Sequence, residues 1–584
     1  MRYFRSILYL ISKKDKKKIP GLIALFLILS FFEVVGIGLI APYIALLTNT
    51  ESETLYRFFI FLGLPTDNTL LIYYTSIGLL SVFLIKSIIV ILINKIIIFF
   101  SVAQRVNLSA FLMKAYQSLP YEEFLIRNSS EYIHNIQALT SRLSVVLILL
   151  LRAVSDLLIG LSIFVLLAWQ NFKVLAILTS IIMIFLLTYD IWFKDKVKKY
   201  GENVNNSADL MIKDLNEGIK GLKEIRVLGR ESYFYKRFVR SITSHAHNSG
   251  TFTFVTAAPR YLLEFILVFF IVSIVLSSIL LGESLNDIVP TLALFGVASL
   301  RLLPLSNTLL QTLLQLRNNE NSIDRLYKDV YKFKQKNLKK NETRAAEDLV
   351  SFQSLELKNI NFSYSESNYK SLNNISIKIE HGKSIGIIGK SGSGKTTLID
   401  LLLGLLEPNT GEIYFNNINC TNDREGIFDT RVAYIPQQVF LLDDSLMNNI
   451  SLNNKNDTNH DLVMAAVKQA RLMELVERLP NGLDTRIGES GVLVSGGERQ
   501  RIALARALYY DRDVIIMDEA TSALDNETEK EIISEIKSFK GSKTLIVIAH
   551  RLTTLQNCDI IYQLEKGKIV ASGNYKEMVI DNNK

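Results

Sequence analysis

Eight consecutive residues, Gly389, Lys390, Ser391, Gly392, Ser393, Gly394, Lys395 and Thr396, have the make-up of a phosphate-cradling loop. The glycines let backbone N–H groups converge on an anion, and a helix starting at Lys395 adds the positive end of its dipole. Lys395 is placed to reach the outer phosphates of ATP. The Thr396 hydroxyl, with Thr397 behind it, is placed to ligate Mg²⁺. Downstream, Val494-Ser495-Gly496-Gly497-Glu498 is a second small-residue motif, and the apolar run Val514–Met517 leads into Asp518 and Glu519. Asp518 suits the metal and Glu519 suits polarising an attacking water. His550 closes another apolar run, Thr544–Ala549, and is a candidate for the γ-phosphate. An Asp-Glu pair alone is usually a solvated strand end, and a lone histidine is usually structural. Their position after a phosphate loop changes that balance.

These groups need rigid elements beneath them. Ser384–Ile388 reads as a buried strand before the loop, and Lys395–Leu402 as the helix after it, the context the motif requires. From Phe352 onward, short apolar strands, glycine turns and amphipathic helices alternate, which defines an α/β domain over 351–584.

The rest of the chain is of another kind. With 584 residues, of which 49% are hydrophobic, it is too long for one core, and its apolar residues crowd into the first half. A spanning helix needs roughly 20 mainly apolar residues. Six stretches qualify, near 21–48, 70–100, 143–168, 172–193, 257–281 and 287–315, giving a helical membrane domain over 1–320. Residues 321–350 are polar and lysine-rich, and read as a linker that is helical at its start. The net charge of +8 comes from basic residues lying between apolar segments. That is the signature of membrane topology rather than of a nucleic-acid partner. Lysines and arginines crowd 194–255, whereas the opposite loops offer only Arg57 and Lys173. The termini, the two long loops and the α/β domain are therefore expected in the cytoplasm. The basic N-terminus precedes an apolar run too long for a signal peptide and is read as flanking a retained first span. Leu55–Leu62 fits either an interfacial helix on the outer side or an ordinary loop. Cys420 and Cys558 make no disulfide framework and no metal cluster.

Taken together, these motifs resemble the ATP-binding cassette (ABC) transporters of the exporter type, over nearly the whole length. The resemblance implies that Tyr364 stacks on adenine and that Gln437, with Gln438 as the alternative, links Mg²⁺ to the membrane domain. It implies that Gly488–Gly491 is the exporter-specific segment, and that Ser495, Gly496 and Gly497 bind the γ-phosphate of ATP held by a second subunit. Ser522–Asp525 matches the loop joining the two sites. Val494 and Glu498 depart from the commonest signature spelling, where leucine and glutamine stand. One chain carries one phosphate loop and one signature, so two chains are needed; with Glu519 and His550 both present, a homodimer is favoured over a heterodimer. Short helices near Pro120–Asn128 and Asn205–Glu217 should dock on the ATPase domains near Gln437.

Cargo is less directly encoded. Charged residues at membrane depth face a cavity or pair with one another. Lys86 and Arg301, with Arg260, suggest a cationic ring suited to a pyrophosphate; the alternative is internal pairing, for example Glu33 or Glu264 with Lys86 or Arg152. Stretches such as Phe32–Pro42, Ala258–Glu264 and Leu300–Pro304 are similar to the lipid-linked oligosaccharide flippases of the family. That similarity implies flipping of a polyprenyl-pyrophosphate oligosaccharide across the bacterial inner membrane, with membrane lipid as a partner. Export of peptide, lipid or drug is the competing reading, and an ATP-gated channel or sensor a third.

Overall fold

The computed structural model describes residues 2–47, 68–127, 129–280, 285–337, 351–365, 369–421, 431–453, 457–488, 491–518, 534, 537, 539–548 and 552–580. The chain forms two compact units. One comprises Met1–Gln117 and Ser129–Asn341, the other Ser118–Asn128 and Glu342–Lys584.

The first unit is helical: α1 (Arg2–Leu10), α2 (Ile19–Gly38), α3 (Asn68–Gln117), α4 (Thr140–Gln170), α5 (Phe172–Lys220), α6 (Leu222–Val227), α7 (Glu231–Leu280), α8 (Leu285–Asn318) and α9 (Glu320–Asn337). Among the described residues, four helices are long and apolar enough to cross a membrane: Lys13–Gly38, Thr69–Gln117, Glu131–Gln170 and Leu292–Leu316. Shorter apolar stretches, Phe172–Phe185 and Glu264–Leu276, lie inside the longer α5 and α7. On α3, Ile77, Leu80, Leu84, Ile88 and Ile91 are exposed. Their spacing of three and four residues makes one apolar stripe for lipid to cover. Asn171 makes the tight link between α4 and α5: it ends α4 in an extended conformation (φ −156°) and its side chain accepts from Val174 N–H at 3.2 Å. One side chain thus lets two antiparallel helices meet without a loop.

One long-loop expectation changes. Asn205–Glu217 is not a separate short helix; it continues α5, and the short helix is α6, four residues further on. Gly201 and Gly218 are carried within the helix without ending it; Gly221 supplies the turn, and Gly229 (φ +62°) supplies the next. The lysine-rich segment is also more than a tether at its start. Ile323, Leu326, Val330 and Phe333 of α9 are buried, and Tyr327 and Tyr331 meet Tyr9 of α1 at 5.2 and 5.9 Å between ring centres.

The second unit holds two sheets. Strands β1 (Ser354–Phe362), β2 (Leu372–Glu380), β4 (Thr410–Phe415) and β5 (Ile418–Asn419) form an antiparallel sheet in the order β2-β1-β4-β5. The other has the order β10-β9-β3-β8-β7-β6, from β3 (Ser384–Ile388), β6 (Val432–Ile435), β7 (Val514–Asp518), β8 (Thr544–Ile548), β9 (Ile560–Glu565) and β10 (Lys568–Gly573). Its strands are parallel except β10. Strands β3, β7 and β8 are buried nearly end to end, as a sheet covered on both faces requires. Three helices of this unit bear on the site: α10 (Lys395–Leu402), α11 (Met473–Arg478) and α12 (Gly496–Tyr509).

Candidate functional site

The phosphate loop leaves the carboxyl end of β3, where open α/β sheets bind ligands. Two glycines are required there. Gly394 caps α10 with φ +104°, and a Cβ on it would stand 2.7 Å from the Ser371 carbonyl oxygen. A Cβ on Gly389 would fall 2.5 Å from the Leu564 carbonyl oxygen. The backbone can therefore curl only without side chains at these points. Lys395 Nζ donates to the carbonyls of Gly389 (2.7 Å) and Lys390 (3.1 Å), which holds the ammonium over the loop. Lys390, Ser391, Gly392 and Thr396 are exposed on its rim, whereas Ser393 and Thr397 are buried.

Neighbouring elements converge on this rim. Tyr364, just past β1, stands 3.4 Å by its hydroxyl from the Thr397 hydroxyl, and its ring meets Phe362 edge-on at 5.0 Å. Asp518 ends β7, and Tyr434 of the adjacent β6 donates its hydroxyl to Asp518 Oδ2 at 3.3 Å. Burial and the charge of Asp518 push the carboxyl of Asp400, on α10, up to about 6. Burial, with the same Asp518 charge, also raises the Tyr434 hydroxyl. Gln437 is exposed two residues beyond β6. Among the described residues no three His, Cys, Asp or Glu side chains cluster to hold a metal. Mg²⁺ at a nucleotide takes one or two protein oxygens, with the substrate phosphates completing the shell. The hydroxyl of Thr396, the carboxylate of Asp518 and the amide oxygen of Gln437 are hard donors of that kind. Glu519, His550, Glu489, Ser490 and Ser522–Asp525 lie outside the described residues, as does Leu55–Leu62.

Ser495 caps α12. Its hydroxyl accepts from the Glu498 N–H (3.2 Å), and Glu498 Oε2 accepts from the Ser495 N–H (2.7 Å), a reciprocal capping box. Gly496 and Gly497 form its first turn.

Sequence reasoning missed the company kept by Ser118–Asn128. This segment belongs to the ATPase-like unit. Its helix Tyr121–Ile126 gives Glu122, whose Oε1 accepts from the Ser365 N–H at 2.8 Å and from the Ser365 hydroxyl. Tyr121 packs partly buried on the same apolar cluster as Tyr364. The segment thus reaches Ser365, next to Tyr364. The missing signal was Ser365, an unremarkable serine in sequence.

In the helical unit, Lys86 Nζ (2.9 Å) and Arg301 Nε (2.7 Å) both lie against Oε1 of Glu33, which is 0% exposed. Three helices, α2, α3 and α8, thus meet on one carboxylate. These are charge contacts rather than aligned hydrogen bonds, and Glu33 Oε2 is buried without a hydrogen-bond donor. Arg152 of α4 donates to Asn94 of α3 at 3.2 Å, and Asp156 lies one turn beyond Arg152. Arg260 falls on α7, but its side chain lies outside what the structure describes. The two described members of the expected ring are therefore paired internally on Glu33, the alternative left open above. Two cations beside one buried carboxylate leave an excess positive charge, with Arg301 about one-third exposed.

The fold and the loop define a membrane-embedded P-loop ATPase. Comparison with known proteins narrows that class. Residues 22–302 match the family described as ABC transporter transmembrane region, and residues 372–522 the family described as ABC transporter. The ATP-dependent lipid A-core flippase of Wigglesworthia glossinidia brevipalpis is 30% identical over 81% of each chain. That of Haemophilus influenzae (strain 86-028NP) is 41% identical over 228 residues, only 39% of each chain. The solved structure of a bacterial Atm1-family ABC exporter with ATP bound superposes with a TM-score of 0.74 at 20% identity, over 97% of this chain and 96% of that one. The chain belongs to the ABC transporters, with an exporter-type membrane domain followed by an ATP-hydrolysing cassette.

Proposed function

We propose that this transporter is a homodimeric flippase that moves a phosphate-bearing glycolipid across the bacterial inner membrane. The observation that carries this reading is the meeting of Lys86 and Arg301 on Glu33 at membrane depth. Charge buried there is costly, about 2.5–3.5 kcal/mol per residue on insertion scales, so such groups pair or face a cavity; Glu33 pairs with both cations, and the partly exposed Arg301 is the group left to face an ionic cargo. The glycolipid in the relatives' name, lipid A-core flippase, and a polyprenyl-pyrophosphate oligosaccharide share one chemistry: a lipid-anchored sugar that carries phosphate. Arginine and lysine recognise phosphate by charge-assisted hydrogen bonds, with Arg301 offering the bidentate fork and Lys86 a point charge. Arg260 is retained as a third candidate.

On the cytoplasmic side, Tyr364 stacks on adenine. The backbone of Gly389–Thr397 and Lys395 hold the phosphates, and Thr396, Asp518 and Gln437 hold Mg²⁺. That ion supplies charge neutralisation at the phosphates. Glu519 polarises the attacking water, and His550 contacts the γ-phosphate. Ser495, Gly496 and Gly497 close on ATP held by the other subunit, so that binding draws two cassettes together.

The test is ATP-dependent translocation in proteoliposomes, run in parallel with a lipid-linked oligosaccharide and a lipid A-type phosphoglycolipid, with Glu519→Gln as control. Movement of either by the wild type alone supports the flippase reading and selects the cargo. Robust ATPase with neither lipid moved sinks it and leaves an exporter of peptide, drug or another lipid.

A further inference from the structure

The glutamate that replaces glutamine in the signature brings a carboxylate close to where a second subunit's nucleotide is read to sit. Glutamate and glutamine serve a capping box equally well, so the change is one of charge rather than of shape. The box explains why the helix start survives: Ser495 uses its oxygen to accept from the Glu498 N–H, and its hydroxyl also lies within hydrogen-bonding reach of the Glu498 carboxylate, so that carboxylate competes with an outward acceptor for the proton. Ser495 is exposed, as a donor to an external phosphate must be.

The carboxylate itself does not face outward unmatched. Glu498 Oε1 accepts from Arg478 Nη2 at 2.7 Å, while Oε2 is taken by the Ser495 N–H. Glu498 is only 8% exposed along its side chain, and Arg478 reaches it from the last turn of α11, twenty residues earlier. Burial alone would favour the neutral acid, but the Ser495 N–H and Arg478 outweigh it and hold the carboxyl below its usual range. Glu498 is therefore an anion at neutral pH. An uncompensated anion beside the γ-phosphate would oppose the closure that hydrolysis requires.

We infer that Arg478 is a positioning and charge-compensating residue of the ATPase site, made necessary by Glu498. It neutralises the signature carboxylate so that Ser495 can present its proton to the γ-phosphate of the partner subunit. The inference rests on the reading that the signature closes on ATP across a dimer. It predicts a coupled pair: either the charge is present at both positions, or at neither.

The experiment measures Mg²⁺-ATPase of the full chain in detergent for Arg478→Gln, Arg478→Lys and the double variant Arg478→Gln/Glu498→Gln. Arg478→Gln keeps length and a hydrogen-bond donor and removes the charge. Its KM for ATP should rise about three- to tenfold, with a smaller change in kcat, and the defect should shrink in high salt. Arg478→Lys should recover part of the loss. The double variant should recover most of it, which a merely structural arginine would not allow. Wild-type behaviour of Arg478→Gln, or a double variant no better than the single, overturns the proposal. Ser495→Ala separates the two levels. If it hydrolyses ATP normally, the cross-subunit reading itself fails. If it is crippled while Arg478→Gln is normal, only the role of Arg478 fails.

Discussion

The phosphate loop and the intramembrane charge cluster use opposite strategies. The loop is contiguous: nine residues, Gly389–Thr397, place backbone groups, and two glycines are fixed by clashes measured in tenths of an ångström. The cluster is assembled: residues 33, 86 and 301 come from three helices, and side-chain charge alone unites them. Backbone chemistry demands neighbours in sequence, so it leaves a motif. Charge chemistry demands only that helices meet, so it leaves scattered residues in apolar runs.

The sharpest way to break the contrast is at the loop's partner, Glu519. Glu519→Gln should cut ATP turnover by about 10²–10⁴-fold while retaining nucleotide. Turnover at the wild-type rate, in a phosphate-release assay, would remove the base assignment. At the cluster the expected effect is smaller and conditional. Lys86→Met with Arg301→Met leaves Glu33 stranded, a change that costs about 3–5 kcal/mol when a buried pair is broken. Adding Glu33→Gln should restore folding, spare basal ATPase and still lose transport of the anionic lipid by about tenfold or more. Equal thermal stability of the double and triple variants would show that Glu33 is not the shared counter-ion. Unchanged lipid transport by the triple variant would exclude the cluster from cargo binding.

The smallest effect concerns Asp400. Its carboxyl, raised to about 6, holds a proton in the folded chain at pH values where the unfolded chain, near 3.8, has lost it. Its contribution to stability is therefore fully present below about 4 and is lost as pH rises through about 6. Asp400→Asn should stabilise the nucleotide-free protein above pH 6 by on the order of 1 kcal/mol after allowing for solvent screening, seen as a higher unfolding temperature, and give little below pH 4. A pH-independent gain would assign the effect to shape instead.

The same contrast explains how much was legible beforehand. Strand β3, the loop and α10 follow directly from Ser384–Leu402, because apolar run, glycine turn and helix are each local signals. The apolar runs before Asp518 and His550 were equally local. The second cytoplasmic short helix was misplaced because nothing between Asn205 and Lys220 interrupts helix; the break comes only at Gly221. In α9 the lysines masked a stripe at 323, 326, 330 and 333, whose spacing marks a packed face. Pairing of Glu33 with Lys86 stood beside an open ring as an alternative, whereas the share that Arg301 takes in Glu33 did not. Side-chain partners at membrane depth depend on helix rotation, which hydropathy does not report.

The attachment of Ser118–Asn128 to the ATPase unit has a practical corollary. A cassette cut free at Glu342 would carry a bare seat where Tyr121 packs and a Ser365 robbed of its carboxylate acceptor. Such a fragment is not a natural module but an amputated one. Its solubility and nucleotide affinity would improve when an eleven-residue peptide of that sequence is supplied in trans. Sequence order and structural ownership diverge at this point, and any chimera that exchanges cassettes between transporters inherits the mismatch unless the peptide travels with them.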